Sequence, residues 1–423
     1  MKKLLLEAPI LTRSGYGEHS RLVFRALKLK EGIELFINPL EWGSTGWISE
    51  ETDERKEIEL GIGRFGALMD QANQTKQDPG FDYQVHVGIP NEFKKKAKHS
   101  VCVTAGIETD RVSSDWLMKT HQGLDKLIVP SQHAKDGFTS TSYEVHNTQT
   151  DQRVTLICNS PVDVVPYPVK EVTPAPLDFT IDTKFNFLSV ALLGPRKNLE
   201  RMIRWFLEEF KNEDVGLVLK SGRTTGSTMD KKVTKDHLAA VVKEFKSSDH
   251  KCKVYLLHGD LTEEEVHSLY IRDDIHAYLT ATHGEGYGLP IFEAVYSGLP
   301  VVATDWSGHL DFLSGDIREN NKTKSKKLFA RVDYDIKKIP QSVVWKDILI
   351  EDSHWAYPKE ASFKKQMRNM FKNYGMYKKW STTLKEQAIQ KYDKEKICEM
   401  MVNSIFDNDG SLEQSREEEV LVL

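Results

Sequence analysis

Between residues 281 and 298 the chain reads ATHGEGYGLPIFEAVYSG, with Gly284, Gly286 and Gly288 alternating with Glu285 and Tyr287, and Glu293 following eight residues after Glu285. Three chemistries suit such a stretch: a cradle of backbone N–H groups for a phosphate, a pair of carboxylates for acid/base work, or a tight turn before a helix. The spacing fails the dinucleotide fingerprint at its third glycine, and no Gly-Lys-Ser/Thr follows to make a Walker loop. The strand-like run IHAYLT ends just before the glycines, and Pro290 suits a first helical position. Glycines at a strand-to-helix turn expose N–H groups where the helix adds partial positive charge, and both favour a bound phosphate or sugar oxygen. An ionised carboxylate only accepts hydrogen bonds, so Glu285 in the loop and Glu293 in the first helical turn suit sugar hydroxyls. The plainer reading makes Glu293 a complement to the helix dipole and Glu285 a solvated acid.

The elements that must position these residues come in two series. In the first half KLLLEAP, IELFINP, YQVHVGI, SVCVTAGI and KLIVPS read as strands, with helices in SGYGEHSRLVFRALK, near Lys56–Gln71 and in SSDWLMKTH. Residues 161–176 hold five prolines, which argue against regular structure and mark a stiff linker. The rhythm then restarts with FNFLSVALL, VGLVLK, KVYLLHG, IHAYLT and PVVAT as strands. Leu199, Met202, Ile203, Phe206, Leu207 and Phe210 make one face of a helix, for which Asn198 is a suitable N-cap. Residues 355–406 read as mostly helical. Two doubly wound α/β halves follow, with the natural ligand site in the cleft at the carboxyl ends of the strands.

The bulk numbers agree with an ordinary globular protein of two or three domains. The chain has 423 residues, 39% hydrophobic and 29% charged, with net charge -5 and pI about 6.3, so the whole exerts no pull on nucleic acid or an anionic membrane. Cys102, Cys158, Cys252 and Cys398 lie far apart without zinc spacing and read as buried thiols of a reducing compartment. The opening MKKLLLEAPIL is broken by Glu7 and reads as a strand, and no run approaches the roughly 20 apolar residues of a membrane span. The expectation is a soluble, cytoplasmic protein, in the host cytoplasm if it is viral. DNDG at 407–410 lacks the remaining spacing of a calcium loop, so no metal site is expected.

The run HGEGYGLPIFEAVYSGLPVVATDWSGHLDFL resembles the donor-site signature of retaining glycosyltransferases of family 4, whose mark is two glutamates separated by seven residues and followed by G-x-P-V-V-A-T. The resemblance covers about 35 contiguous residues, with flanking agreement over roughly 120. It implies the GT-B fold: an N-terminal Rossmann-like acceptor domain (1–165), a linker (166–177), a C-terminal Rossmann-like nucleotide-sugar domain (178–375), helices packing back on the first domain (376–406) and an acidic tail (407–423). It implies that Glu285 meets the transferred sugar and Glu293 the ribose, and that N–H groups of Gly286, Tyr287, Gly288 and Leu289 lie against sugar and diphosphate. Arg196 and Lys197 match the family's diphosphate cations, though adjacent here rather than several residues apart, with Lys197 the better match and Lys220 a second candidate. The plainer reading of each is a solvated surface charge. Gly15 and Gly17 match the family's first glycine loop. Where many members carry a histidine this chain has Glu108, Thr109 and Asp110; Glu108 or Asp110 suits an acceptor hydroxyl, and His86 is a further candidate beside its reading as a packed core histidine.

The implied activity is metal-independent, retaining transfer of a sugar from a nucleotide-diphosphate-sugar such as a UDP- or GDP-sugar, with no cofactor besides that donor. The acceptor is a glycan, a lipid, a protein or a hydroxylated nucleobase. The run LLEAPILTRSGYGEHSR at 5–21 looks similar to phage-type members, and the basic clusters at 92–99 and 320–327 raise DNA as a partner, against two solvated lysine loops. A glycosidase would use two carboxylates but needs no glycine loop or cations. A nucleotide-sugar epimerase of the same architecture is the nearer rival, and a non-catalytic binding protein a further one.

Overall fold

The structure is a computed structural model that describes residues 1–43, 45–147, 151–319 and 322–407. Residues 408–423 of the acidic tail, including Asn408 to Gly410, and residues 320–321 of the second basic cluster lie outside the described residues.

In the first half the strands are β1 (Lys2–Ala8), β2 (Ile33–Pro39), β3 (Phe81–Val87), β4 (Ala97–Val103) and β5 (Lys126–Val129), then a hairpin of β6 (Tyr143–Asn147) and β7 (Gln152–Leu156), and β8 (Val162–Val164). Apart from the hairpin they form one parallel sheet in the order β2-β1-β3-β4-β5-β8. Both faces are covered, so the strands read as apolar runs: Leu4, Leu5, Leu6, Val101, Cys102 and Val103 are all fully buried. The helices are α1 (Gly15–Leu27), α2 (Asp53–Thr75), α3 (Ser114–Thr120) and α4 (Gln132–Thr139). α2 outruns the expected Lys56–Gln71 because Thr52 caps its start and left-handed Lys76 ends it.

The second half has β9 (Phe185–Val190), β10 (Val215–Lys220), β11 (Lys253–Leu257), β12 (Ala277–Leu279) and β13 (Val301–Thr304), a hairpin of β14 (Ser314–Glu319) and β15 (Lys322–Lys327), β16 (Ala330–Val332), and a hairpin of β17 (Tyr334–Lys338) and β18 (His354–Pro358). Its main sheet is parallel in the order β11-β10-β9-β12-β13-β16. α5 (Leu199–Glu209), α6 (Thr228–Phe245), α7 (Glu263–Ile271) and α8 (Leu289–Ser297) cover it. On α5 the expected apolar face is buried, and Phe206 and Phe210 pack on Phe187 at ring distances of 6.3 and 5.7 Å. Each such fully buried side chain contributes about 1.5–3 kcal/mol.

Two local expectations are corrected. The prolines of 161–176 do not exclude regular structure: Val162–Val164 pair with Leu127–Val129 as an edge strand, where a neighbouring proline costs the sheet no hydrogen bond. Asn198 does not cap α5 with its side chain; it lies in the left-handed region at φ 56°, and its amide donates to the Ala281 carbonyl at 3.2 Å, tying the turn after β9 to the end of β12.

Residues 165–184 carry no helix or strand but are pinned: Val169 N–H donates to the Tyr392 carbonyl at 2.8 Å, and Lys170 pairs with Glu18 at 2.9 Å and Glu263 at 3.0 Å. α9 (Glu360–Lys372) and α10 (Tyr374–Lys391) pack on the second half, whereas α11 (Lys394–Phe406) returns to the first, with Phe406 5.0 Å from the Tyr83 ring and Ser404 donating to Asp163 at 2.7 Å. The strand order reverses between β1 and β3 in one sheet and between β9 and β12 in the other, and each reversal opens a crevice at the carboxyl ends. These ends face each other.

Candidate active site

The centre of the crevice is Glu285, 7% exposed, at the turn between β12 and α8. Its carboxylate pairs with Arg196 Nη1 at 2.9 Å and Lys197 Nζ at 2.5 Å, and it accepts from Thr282 Oγ1 at 2.9 Å. Arg196 and Lys197 sit in the turn after β9, the neighbour of β12, so the strand-order reversal brings both cations to the acid. Adjacency does not turn one of them away: both reach the same carboxylate. Against the cost of burial, the two cations hold the Glu285 carboxyl down to about 2, and Glu285 is ionised at every physiological pH. Burial and the neighbouring Arg196 guanidinium push the Lys197 ammonium below its ordinary value.

Glu108 completes the cluster from the other half, with Oε1 2.6 Å from Arg196 Nη2. Its burial, only partly offset by Arg196, raises its carboxyl. The halves are in close contact here. A Cβ on Gly284 would stand 2.2 Å from the Glu108 carbonyl oxygen, and one on Gly286 2.0 Å from that of Ala105, so these two positions admit glycine alone. Ser131 Oγ donates to the Gly286 carbonyl at 2.5 Å.

α8 starts where the glycines dictate. Gly288 has φ 95°, a left-handed conformation, and Pro290 follows in the first turn. Ile291 and Phe292 donate to the Gly288 carbonyl at 2.9 and 3.0 Å, while among the described residues no acceptor meets the N–H groups of Gly286, Tyr287, Gly288 and Leu289. Four free donors and a helix N-terminus thus stand beside two cations. The Tyr287 ring anchors the turn between Tyr167 (5.0 Å) and Phe312 (5.0 Å).

Glu293 occupies a different environment. It accepts from Tyr270 Oη at 2.9 Å, and burial raises its carboxyl to about 6, with Lys170 as the opposing charge. Lys220 ends β10 and donates to the Gly259 carbonyl at 2.6 Å; burial lowers its ammonium. Gly17 packs against Thr12, whose carbonyl oxygen would stand 2.0 Å from a Cβ there, and Gly15 faces open space.

His86 and Asp110 are not drawn into the cluster. His86 is 3% exposed at the end of β3, near Phe93, and burial lowers its imidazole. Asp110 accepts from the His354 N–H at 2.7 Å and from its ring at 3.0 Å, and beside it Arg111 pairs with Asp352, so this loop fastens the first half to the β17–β18 hairpin. In the first basic cluster Lys95, Lys96 and Lys98 pair with Asp125, Glu7 and Asp82, which makes them part of the fold's own charge balance.

Sequence reasoning missed the supports of Glu285. Ser307, in a left-handed conformation at φ 89° that a non-glycine residue rarely takes, accepts from the Glu285 N–H at 2.9 Å. His309, fully buried, is held by the Thr304 carbonyl at 2.8 Å and sits 3.3 Å from Ser307 Oγ. The signal was present: DWSGHL follows β13 directly, at the carboxyl edge of the same sheet. Among the described residues no group of three or more His, Cys, Asp or Glu is placed to hold a metal ion, and no helix is long and apolar enough to cross a membrane.

Residues 178–318 match the family model described as Glycosyl transferases group 1. None of the curated proteins compared matches the chain. Among solved structures it is similar to a sucrose-phosphate synthase from Thermosynechococcus elongatus, at 13% identity and TM-score 0.58 over 95% of this chain and 97% of that one. A trehalose-6-phosphate protein of E. coli bound with UDP-2-fluoro glucose superposes with TM-score 0.58 at 11% identity, over 96% and 99%. The HepE protein of Anabaena, in complex with UDP and glucose, gives TM-score 0.53 at 11% identity, over 96% and 100%. The fold is GT-B: two Rossmann-like domains facing each other across a cleft, with C-terminal helices.

Proposed function

We propose that this protein transfers a sugar from a nucleotide-diphosphate-sugar to an acceptor hydroxyl, retaining the anomeric configuration and without a metal. The observation that carries this reading is the junction of Arg196, Lys197 and Glu285 at the N-terminus of α8. A diphosphate laid there meets two cations and the four free N–H groups of residues 286–289. These charges stabilise the departing diphosphate in the transition state, the role a metal plays elsewhere. Glu285, ionised and held from three sides, accepts hydroxyls of the transferred sugar. Glu293 accepts from the ribose, Lys220 supports the diphosphate, and Gly15 and Gly17 let the first loop approach it. In the transfer step the bond from the anomeric carbon to the diphosphate oxygen breaks, the acceptor oxygen bonds on the same face, and the acceptor proton passes to the departing phosphate oxygen.

Glu108 shares Arg196 with Glu285. Donor phosphate competes for that guanidinium, which frees Glu108 for an acceptor hydroxyl; Asp110 and His86 border the acceptor side. Closure of the cleft keeps water from the donor. The acceptor class stays as broad as the chemistry of a hydroxyl: glycan, lipid, protein or hydroxymethylated base.

The test is a panel of nucleotide-sugars, UDP-sugars first, scored for nucleotide release with and without acceptors that include hydroxymethylated DNA. Proton NMR of the product then reads the anomeric coupling. Release with retention supports the proposal; silence with every donor, or an inverted product, overturns it. Conversion of the donor sugar without acceptor would point to the epimerase instead.

A further inference from the structure

A second cavity lies behind the turn that carries Arg196 and Lys197. It has a volume of about 560 Å³ and is walled by Gly194, the first turn of α5, Arg201, Arg223, Trp355 and Tyr357. It shares the turn of residues 194–198 and His283 with the site above but lies beside α5 rather than α8. α5 and α6 connect β9, β10 and β11 and lie on one face of the sheet; α8, which carries Glu293, connects β12 to β13 beyond the reversal and so lies on the other.

The walls mix apolar residues with polar ones, among them the exposed Arg201 and Arg223 and the Glu200 carboxylate. Among the described residues neither the Arg201 nor the Arg223 guanidinium has a carboxylate partner, whereas neighbouring His237 is paired with Glu200 at 2.8 Å. Arg201 lines the cavity together with His283 and Tyr357. α5 has no side-chain cap, and the N–H groups of Leu199, Glu200 and Arg201 find no acceptor among the described residues. Trp355, 2% exposed, keeps an indole N–H without a partner, and half-buried Tyr357 offers the part of its ring left by His283, 4.4 Å away, and by Lys337, 5.9 Å away. Two unpaired guanidiniums suit bidentate contact with a phosphate, an uncapped helix start adds N–H donors, and an aromatic wall takes the face of a ring.

We propose that this cavity binds a phosphate monoester of a ring compound, at the same time as the donor cleft is filled. Sugar phosphates and nucleoside monophosphates share that chemistry, and two arms separate them: calorimetric titration of the full chain, saturated with UDP, with glucose 6-phosphate and with AMP, beside inorganic phosphate. Saturable binding of one ester is expected. It should weaken at least tenfold in the Arg201→Gln/Arg223→Gln variant while UDP affinity stays unchanged. Tyr357→Leu should weaken the ester and leave inorganic phosphate as it was. No saturable binding of either ester, equal affinity in the arginine variant, or phosphate binding as tightly as the esters would overturn the proposal. UDP here occupies the donor cleft, so its own failure to bind reports on the donor reading and not on this cavity.

Discussion

The same tripeptide, Gly-Tyr-Gly, occurs at residues 15–17 and 286–288, where a parallel strand passes to the next helix: the first copy opens α1, and the second leads into α8. The two turns do different work. In the first, Ser14 caps α1, Gly17 packs on Thr12, and Tyr16 Oη pairs with Thr104 Oγ1 at 2.9 Å and accepts from the N–H groups of Ala105 and Gly106 at 3.2 and 2.9 Å. In the second, left-handed Gly288 opens α8, the N–H groups stay free, and the preceding residue is the carboxylate that binds two cations. Both turns meet the loop of residues 104–106, since Gly286 abuts Ala105, and Tyr167 of the linker packs on His19 of α1 at 4.8 Å and on Tyr287 at 5.0 Å. A glycine turn is therefore a mechanical part. Its chemistry comes from charges that a neighbouring strand delivers, and only the second sheet delivers them.

The largest effects should separate the turns by charge. Lys197→Ala and Glu285→Gln are each expected to lower kcat/KM by about 10²–10³-fold, the usual loss when a group acting on transition-state charge is removed; steady-state kinetics on the donor found above would check this. The glycines come next. Gly286→Ala and Gly17→Ala each force a Cβ onto a carbonyl oxygen at 2.0 Å, and each should destabilise by about 1–3 kcal/mol in chemical denaturation. Gly286→Ala should also cut turnover, because its clash lies between the halves. Gly15→Ala meets nothing within 4 Å and should leave stability within about 0.5 kcal/mol, which makes it the internal control.

The two glutamates of the second turn sharpen the contrast through pH. Glu293 rises from 4.5 to about 6 on folding, so its stabilising contribution is complete below 4.5 and is lost as pH rises through 6; about 2 kcal/mol should disappear across that window and be absent in Glu293→Gln. Donor KM should fall over the same range, as Glu293 ionises to accept from ribose. Glu285, held at about 2, has the opposite sign: its contribution is present above 4.5 and lost as pH falls through 2, so it should give no pH step near 6. A stability effect with no kinetic counterpart belongs to Tyr16→Phe, which removes a buried hydroxyl with three partners and should cost about 1–2 kcal/mol while donor KM stays unchanged.

Much of this was legible in the sequence. Apolar runs and helix periodicity located both sheets, Pro290 marked the start of α8, and Glu285 and the cations of PRKN were picked out as charges that the fold then brings together, with Glu293 apart from them. What stayed hidden depended on tertiary contact. Nothing in local pattern says that Val162–Val164 find an edge, that Asn198 turns left-handed to bond Ala281, or that Asp110 spends its carboxylate on His354, 244 residues away. Ser307 and Thr282 are ordinary residues by type, and only the fold puts their hydroxyls on Glu285 and its N–H.

The central claim is that Arg196 and Lys197 exist for a diphosphate and Glu285 for the sugar it carries. Calorimetric titration of UDP into the unaltered protein, the Arg196→Ala/Lys197→Ala variant and Glu285→Gln tests it most directly. UDP affinity should fall at least a hundredfold in the cation variant, and be kept or improved in Glu285→Gln despite its lost turnover. Equal UDP affinity in the cation variant, with its fold intact by circular dichroism, would contradict it.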